Sequence, residues 1–259
     1  MRFPWSFRTC FKHQKKIFTF QKTKKLTDNK STELNKLAVD GITIDCVIFG
    51  FNKASLEVLL VQHAEGESIG KWGLLGGYLR KEESSDEAAQ RILYELTSMD
   101  NIYLEQLKAF TNPKRVIDKR VVTIGYYTLI NREDYNIKAS LTVKEATWYK
   151  IKNIPDLIFD HNEILDFSLM HLQNRVRQAP IGFNLLPEKF TLLQLMHLYE
   201  EILGIELDKS NFRRKVLNMK LLVPLDEKQQ DVSHRAATLY KFDSEIYKKL
   251  TEKGFNFEF

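Results

Sequence analysis

Apolar and polar positions change rhythm along the chain. Ile42 to Phe51 is an almost unbroken apolar run rich in β-branched and aromatic residues, and Leu56 to Gln62 is a second. Asn52-Lys53-Ala54-Ser55 punctuates them, so the pair predicts a β-hairpin. Trp72 to Leu79, Ile102 to Phe110, Arg120 to Ile130 and Ala146 to Ile151 predict further strands, with one helix from Ser84 to Thr97. Ile164, Leu165, Ser168, Leu169, Leu172 and Val176 recur at helical spacing and predict a helix from His161 to about Arg177. Strands outnumber helices, which favours an α+β fold with a mixed sheet over alternating βαβ units.

Beyond Pro180-Ile181-Gly182 the pattern turns helical. Thr191 precedes Leu192, Leu195, Met196, Tyr199, Ile202 and Leu203, and Gly204 ends that helix. Asp208 can cap a second helix from Lys209 to about Met219. Leu221 to Pro224 and Arg235 to Phe242 then predict two strands around a polar loop from Asp226 to Ser233. The expected division is a basic, disordered tail at 1–36, a sheet domain at 37–180 and a small helical domain with a hairpin at 181–259.

The 259 residues, 43% hydrophobic and 28% charged, are enough to bury a sizeable core. No apolar run reaches the roughly 18 residues of a membrane span. Cys10 and Cys46 are too few for a disulfide framework or a four-cysteine zinc site, so a reducing, cytoplasmic compartment is expected. The net charge of +5 divides unevenly: residues 1–30 carry nine Lys/Arg against Asp28, or +8, leaving −3 for the rest. Any nucleic-acid binding must therefore come from local clusters.

One such cluster lies on the predicted helix after Asp208. At about 100° per residue Phe212, Val216 and Met219 share one face, while Ser210, Arg213, Arg214 and Asn218 point away from it. Two tight helices and a hairpin resemble a winged helix-turn-helix, in which Arg235 of the wing would meet phosphate or a minor groove. Residues 181–259 nevertheless hold twelve basic and twelve acidic residues, so a solvated helix face explains the same pattern.

From Gly76 the chain reads GGYLRKEESSDEAAQRILYELTSM. This resembles the box of the Nudix superfamily, aligned on Gly77, Glu83, Arg91, Leu93, Glu95 and Met99. Ser84 and Glu87 have the spacing of a capping box. The resemblance implies that Glu83 and Arg91 tie loop to helix. It also implies that the positions of Ile92, Glu95 and Leu96 carry the cation-binding carboxylates of active members, and two of these three are apolar here. Ser98 stands where the box has Gly. Phosphoanhydride cleavage needs a cation to offset phosphate charge and activate water, and Glu95 alone is a poor hard-cation site. The reading therefore assigns no catalytic residue, no metal and no cofactor.

The degenerate box together with GFNLLPEKFTLLQLMHLYEEILGIELDKSNFRRKVL and HRAATLYKF is similar to the Nudix-related transcriptional regulators, which join a Nudix-like effector domain to a winged helix. The run from Cys46 to Asn52, the pair Gly182-Phe183 and the lost carboxylates look closer to the arabinose-responsive branch than to the branch that senses ADP-ribose. The resemblance implies a homodimer on a palindromic operator of double-stranded DNA, released or recruited by a small-molecule effector, a sugar or nucleotide sugar. Lys71, Trp72, Tyr78, Glu83, Arg120 and Asp160 are the effector-binding candidates, since they sit at strand ends or beside the box; Asp160 also suits the N-cap of the following helix. A Nudix hydrolase of a nucleoside diphosphate derivative, with an accessory C-terminal domain, is the alternative. A pair of protein-interaction modules is the third reading.

Overall fold

Period-two alternation sorts the strands of the first domain between two faces. In β1 (Gly41–Asn52), Ile44, Cys46 and Ile48 enter one buried cluster and Val47, Phe49 and Phe51 enter the other. β2 (Ser55–His63) divides in the same way, Leu59 and Val61 against Leu56, Val58 and Leu60. The computed structural model describes residues 39–52, 55–64, 66–137, 143–229, 236–253, 255 and 257. The basic tail at 1–36 lies outside the described residues, and so does Arg235.

β1 is central. It pairs antiparallel with β2, Asn52 opposite Ser55, and parallel with β6 (Val121–Asn131) from Gly41–Val121 to Phe51–Asn131. The order is β3-β2-β1-β6-β5, with β3 at Trp72–Gly73 and β5 at Glu105–Phe110; β7 (Val143–Lys150) adds to β2. The sheet is mixed, as the excess of strands implies. The predicted strand from Trp72 to Leu79 is two: β3 (Trp72–Gly73) pairs with β2, whereas β4 (Leu75–Tyr78) pairs with β1. The break falls at Leu74, whose N–H donates to His161 Nδ1 at 3.0 Å instead of to a strand. Ile102 to Leu104 likewise precede β5 rather than belong to it, although Ile102 and Leu104 are buried.

Helix α1 (Ser85–Thr97) covers one face, with Ala88, Ala89, Ile92 and Leu93 inward. Its capping box is formed, the Ser84 hydroxyl accepting from Glu87 N–H and the Glu87 carboxylate accepting from Ser84 N–H. Ser98 ends it in the left-handed region at φ 59°, where a Gly would avoid a strain of about 1 kcal/mol. Helix α2 (His161–Gln178) covers the other face through Ile164, Leu165, Leu172 and Val176.

The core continues from α2 into the C-terminal elements. Leu195, Leu198 and Ile202 of α3 (Leu192–Leu203) join the same buried cluster as Leu172 and Val176. Thr191 and Gln194 form the capping box of α3, and Gly204 closes it at φ 68°. In α4 (Lys209–Asn218) the Asp208 carboxylate accepts from Asn211 N–H, and Phe212 and Val216 are buried. β8 (Leu222–Lys228) and β9 (Thr238–Phe242) form the two-stranded hairpin; β8 runs further into the expected loop than its composition suggests. A last helix, α5 (Ser244–Glu252), is absent from the pattern-based expectation. Its signal is the Asp243 cap followed by Ile246, Tyr247 and Leu250, which pack on the core. Among the described residues no helix is long and apolar enough to cross a membrane.

Candidate effector site and DNA-binding face

β4 delivers Gly76, Gly77 and Tyr78 to the start of the box loop, and the capping box fixes where α1 begins. Between them the Arg91 guanidinium grips Glu83 with two hydrogen bonds, Nε to Oε2 at 2.8 Å and Nη2 to Oε1 at 2.6 Å, and donates to the Tyr78 carbonyl at 3.0 Å. Loop, strand and helix are thus tied by one side chain, as the resemblance implies. The Arg91 hydrogen bonds, aided by the Arg80 N–H, hold the Glu83 carboxyl down at about 2. An acid pKa depressed below its unfolded value of about 4.3 stabilises the fold fully above that value and loses the contribution as pH falls toward 2. We expect Glu83→Gln to flatten the pH dependence of the melting temperature between about pH 4.5 and 2. Parallel melting curves for variant and parent across that window would show that the tie contributes nothing.

The cation half of the box is different. Ile92 is buried beneath Gly77 and Leu96 packs at the edge of the same cluster. Glu95 is exposed, but its oxygens receive Arg80 Nη2 at 3.1 Å and Arg91 Nη1 at 3.0 Å. Among the described residues no three His, Cys, Asp or Glu side chains converge where a metal ion could sit. A divalent cation of the kind the box serves in active Nudix enzymes does not fit this donor set, because a hard cation needs several oxygen ligands.

On the opposite face lies a buried ionic cluster that sequence reasoning missed. Arg115, from the loop between β5 and β6, has a side chain only 2% exposed. Its guanidinium donates to Asp160 through Nε (2.9 Å) and Nη2 (2.8 Å) and to Asp45 Oδ2 through Nη2 (3.1 Å). His161 Nδ1 accepts from Leu74, which puts its proton on Nε2, 3.6 Å from Asp45 Oδ1. Burial lowers the His161 pKa, so the ring is neutral near pH 7. A Cβ on Gly76 would collide with Asp45 Oδ1, which is why this position of β4 is a glycine.

This cluster corrects the role of Asp160. Its side chain makes no capping hydrogen bond, its backbone (φ −100°, ψ 21°) is not the extended form that capping uses, and Arg115 takes the carboxylate. The other effector candidates fall into two neighbourhoods. Tyr78 is exposed, its ring lies against Gly41, and Arg120, half-buried, is joined through its N–H to the Asp40 carboxylate one residue earlier. Glu83 sits beside Tyr78 through Arg91. Trp72 packs edge-on against Tyr149 at 5.0 Å and its carbonyl accepts from Ile158, near Asp160. Lys71 is exposed and uses its carbonyl to accept from His63. No one point gathers all six.

In the C-terminal region Phe212 and Val216 bury one face of α4, and Ser210, Arg213, Arg214 and Asn218 are exposed on the remainder. Arg214 Nη2 donates to Asn211 Oδ1 at 2.8 Å, one turn earlier. α4 follows α3 through a short turn and precedes the β8–β9 hairpin, the order of a winged helix.

Residues 40–167 match the NUDIX domain family, and residues 182–242 match the NrtR DNA-binding winged helix domain. The chain is 31% identical over 210 residues to the ADPR responsive transcriptional repressor NtrR of Acinetobacter baylyi, covering 80% of this chain and 83% of that one. It is similar to the crystal structure of Shewanella oneidensis NrtR complexed with a 27mer DNA, with TM-score 0.65 and 28% identity, covering 83% of this chain and 97% of that one. A MutT/nudix family protein from Enterococcus faecalis shares the fold, with TM-score 0.64 and 20% identity over 84% of this chain and 94% of the other.

Proposed function

The chain belongs to the NrtR family, in which a Nudix domain is joined to a DNA-binding winged helix, and we propose that it is a transcriptional regulator whose occupancy of DNA is set by a nucleotide sugar of the ADP-ribose type. The observation that carries this reading is the state of the box: the Glu83–Arg91 scaffold is intact while the cation-binding half is replaced by Ile92, Leu96 and paired arginines. Such a site keeps a shape for a diphosphate without the means to cleave it. The A. baylyi relative is named for its response to ADP-ribose, so a nucleotide sugar, rather than the free sugar of the arabinose-responsive branch, is the effector class we propose. One α4 reads only a few base pairs, so the working form is a homodimer on a palindromic operator, in the cytoplasm.

The test uses fluorescent duplexes tiled across the region upstream of the gene. One tile should bind with a Kd of about 10⁻⁸ M or below at physiological salt and be released by ADP-ribose, with light scattering showing a dimer. ADP-ribose should remain intact on incubation with the protein and Mg²⁺. Turnover of about 1 s⁻¹ or faster would instead establish the hydrolase reading. Binding of every tile at the same nonspecific level would establish the interaction-module reading.

A further inference from the structure

We propose that Arg80 takes the place of the divalent cation in this Nudix box: its guanidinium, seated on Glu95, holds the effector's diphosphate, so that effector binding requires no metal ion. The inference rests on the ADP-ribose-type reading above and names how that site holds its ligand.

In a box with three carboxylates, a diphosphate can approach only because metal ions lie between the two sets of negative charge. Here the carboxylates that remain are already matched by guanidinium groups. Arg91 uses Nε and Nη2 on Glu83 and Nη1 on Glu95, and Arg80 Nη2 takes the other oxygen of Glu95. Two arginines and two glutamates sum to zero, and Ile92 and Leu96 add no charge, so this half of the box is neutral where three carboxylates would leave it strongly negative.

The two arginines are not equivalent. Arg91 is 18% exposed and is consumed by Glu83, Glu95 and the Tyr78 carbonyl, which makes it part of the scaffold. Arg80 is 61% exposed. Its backbone is fixed, the N–H donating to Glu83 Oε1 at 2.8 Å, and its side chain is oriented by Glu95. A guanidinium carries five N–H donors in a planar fork, so one contact to Glu95 leaves capacity for a bidentate phosphate contact. An exposed ion pair contributes little to folding, and stability therefore does not account for Arg80 at this place. The Tyr78 ring two residues earlier is exposed, and the charge of exposed Lys81 is matched by exposed Glu82 beside it, which leaves Arg80 as the cation available to an anion.

The experiment is calorimetric titration of the full-length protein with ADP-ribose, in EDTA and again in millimolar Mg²⁺. The expected result is the same affinity in both, a loss of about tenfold or more for Arg80→Ala, and a smaller loss for Arg80→Lys, which keeps charge but not the fork. Arg80→Ala should melt with the parent and bind the operator as tightly in the absence of ADP-ribose. Binding that disappears in EDTA, or an Arg80→Ala affinity equal to the parent's, would overturn the proposal and leave the regulator reading standing. No binding of ADP-ribose in either buffer would overturn both.

Discussion

Arg115→Ala should cost about 3–5 kcal/mol of folding stability, the amount associated with removing one partner of a buried ion cluster. The size follows from what the truncation leaves behind. Asp45 is buried and Asp160 largely so, its side chain 11% exposed; the same guanidinium brings them together, and without it each faces another charge of like sign. Asp45 cannot turn to water without moving β1. Domains of this size are stable by roughly 5–15 kcal/mol, so the variant should sit near its unfolding threshold. Urea unfolding of parent and variant measures the difference. Adding Asp45→Asn and Asp160→Asn to Arg115→Met removes the stranded charges and should recover a substantial part of the loss. A deficit below about 1 kcal/mol for Arg115→Ala would mean that the cluster is solvated and that its three charges relax independently.

The same cluster shows where the sequence was readable and where it was not. Asp45 is the one acidic residue inside the apolar run from Ile42 to Phe51, and a lone carboxylate in a strand buried on both faces requires a partner. That much is legible locally. The partner's identity was not legible, because Arg115 lies 70 residues away in TNPKRVIDKR, where Lys114, Lys119 and Arg120 have the same local pattern. Only the pairing of β6 with β1 brings that loop to Asp45. Arg120, an effector-binding candidate by its place at a strand end, is half-buried and joined to Asp40; Arg115 is the one that enters the interior.

Local rules served well where local forces decide. The hairpin of β1 and β2, the Ser84–Glu87 box, the Asp208 cap and the buried pair Phe212 and Val216 follow from turn chemistry, capping and helical spacing. They failed where a tertiary partner competed. Asp160 has the residue type of a cap, yet a buried guanidinium is a stronger claim on its carboxylate than a helix N–H exposed to water. Trp72 to Leu79 reads as one strand by composition but splits, since His161 takes the Leu74 N–H. Arg80 is hidden for another reason: the box signature leaves the five positions after Gly77 unspecified, and Arg80 occupies one of them.

Arg213→Ala with Arg214→Ala should weaken operator binding by about 1–3 kcal/mol for each arginine that contacts a base, tenfold for every 1.4 kcal/mol. Phe212 and Val216 commit one face of α4 to the core, so Ser210, Arg213, Arg214 and Asn218 are the residues left to face a groove. Arg spans guanine O6 and N7 bidentately and Asn does so with adenine N6 and N7, which makes these four chemically competent to read sequence. Arg214 is held by Asn211 at 2.8 Å and so would meet a groove already oriented, at the cost of exchanging that hydrogen bond. We assign it to a base, and Arg235, which lies outside the described residues, to phosphate or the minor groove. The two kinds of contact separate experimentally. Loss of a base contact relaxes preference at one operator position, whereas loss of a phosphate contact weakens all sequences alike and lowers the slope of log K against log salt by about 1. Anisotropy titrations of the single and double variants at several salt concentrations, on the operator and on single-substitution duplexes, distinguish these outcomes. Neither arginine supports the fold, so the variants should melt with the parent. Unchanged operator affinity and salt slope in the folded double variant would remove α4 from the DNA interface and leave its basic face to an acidic protein partner.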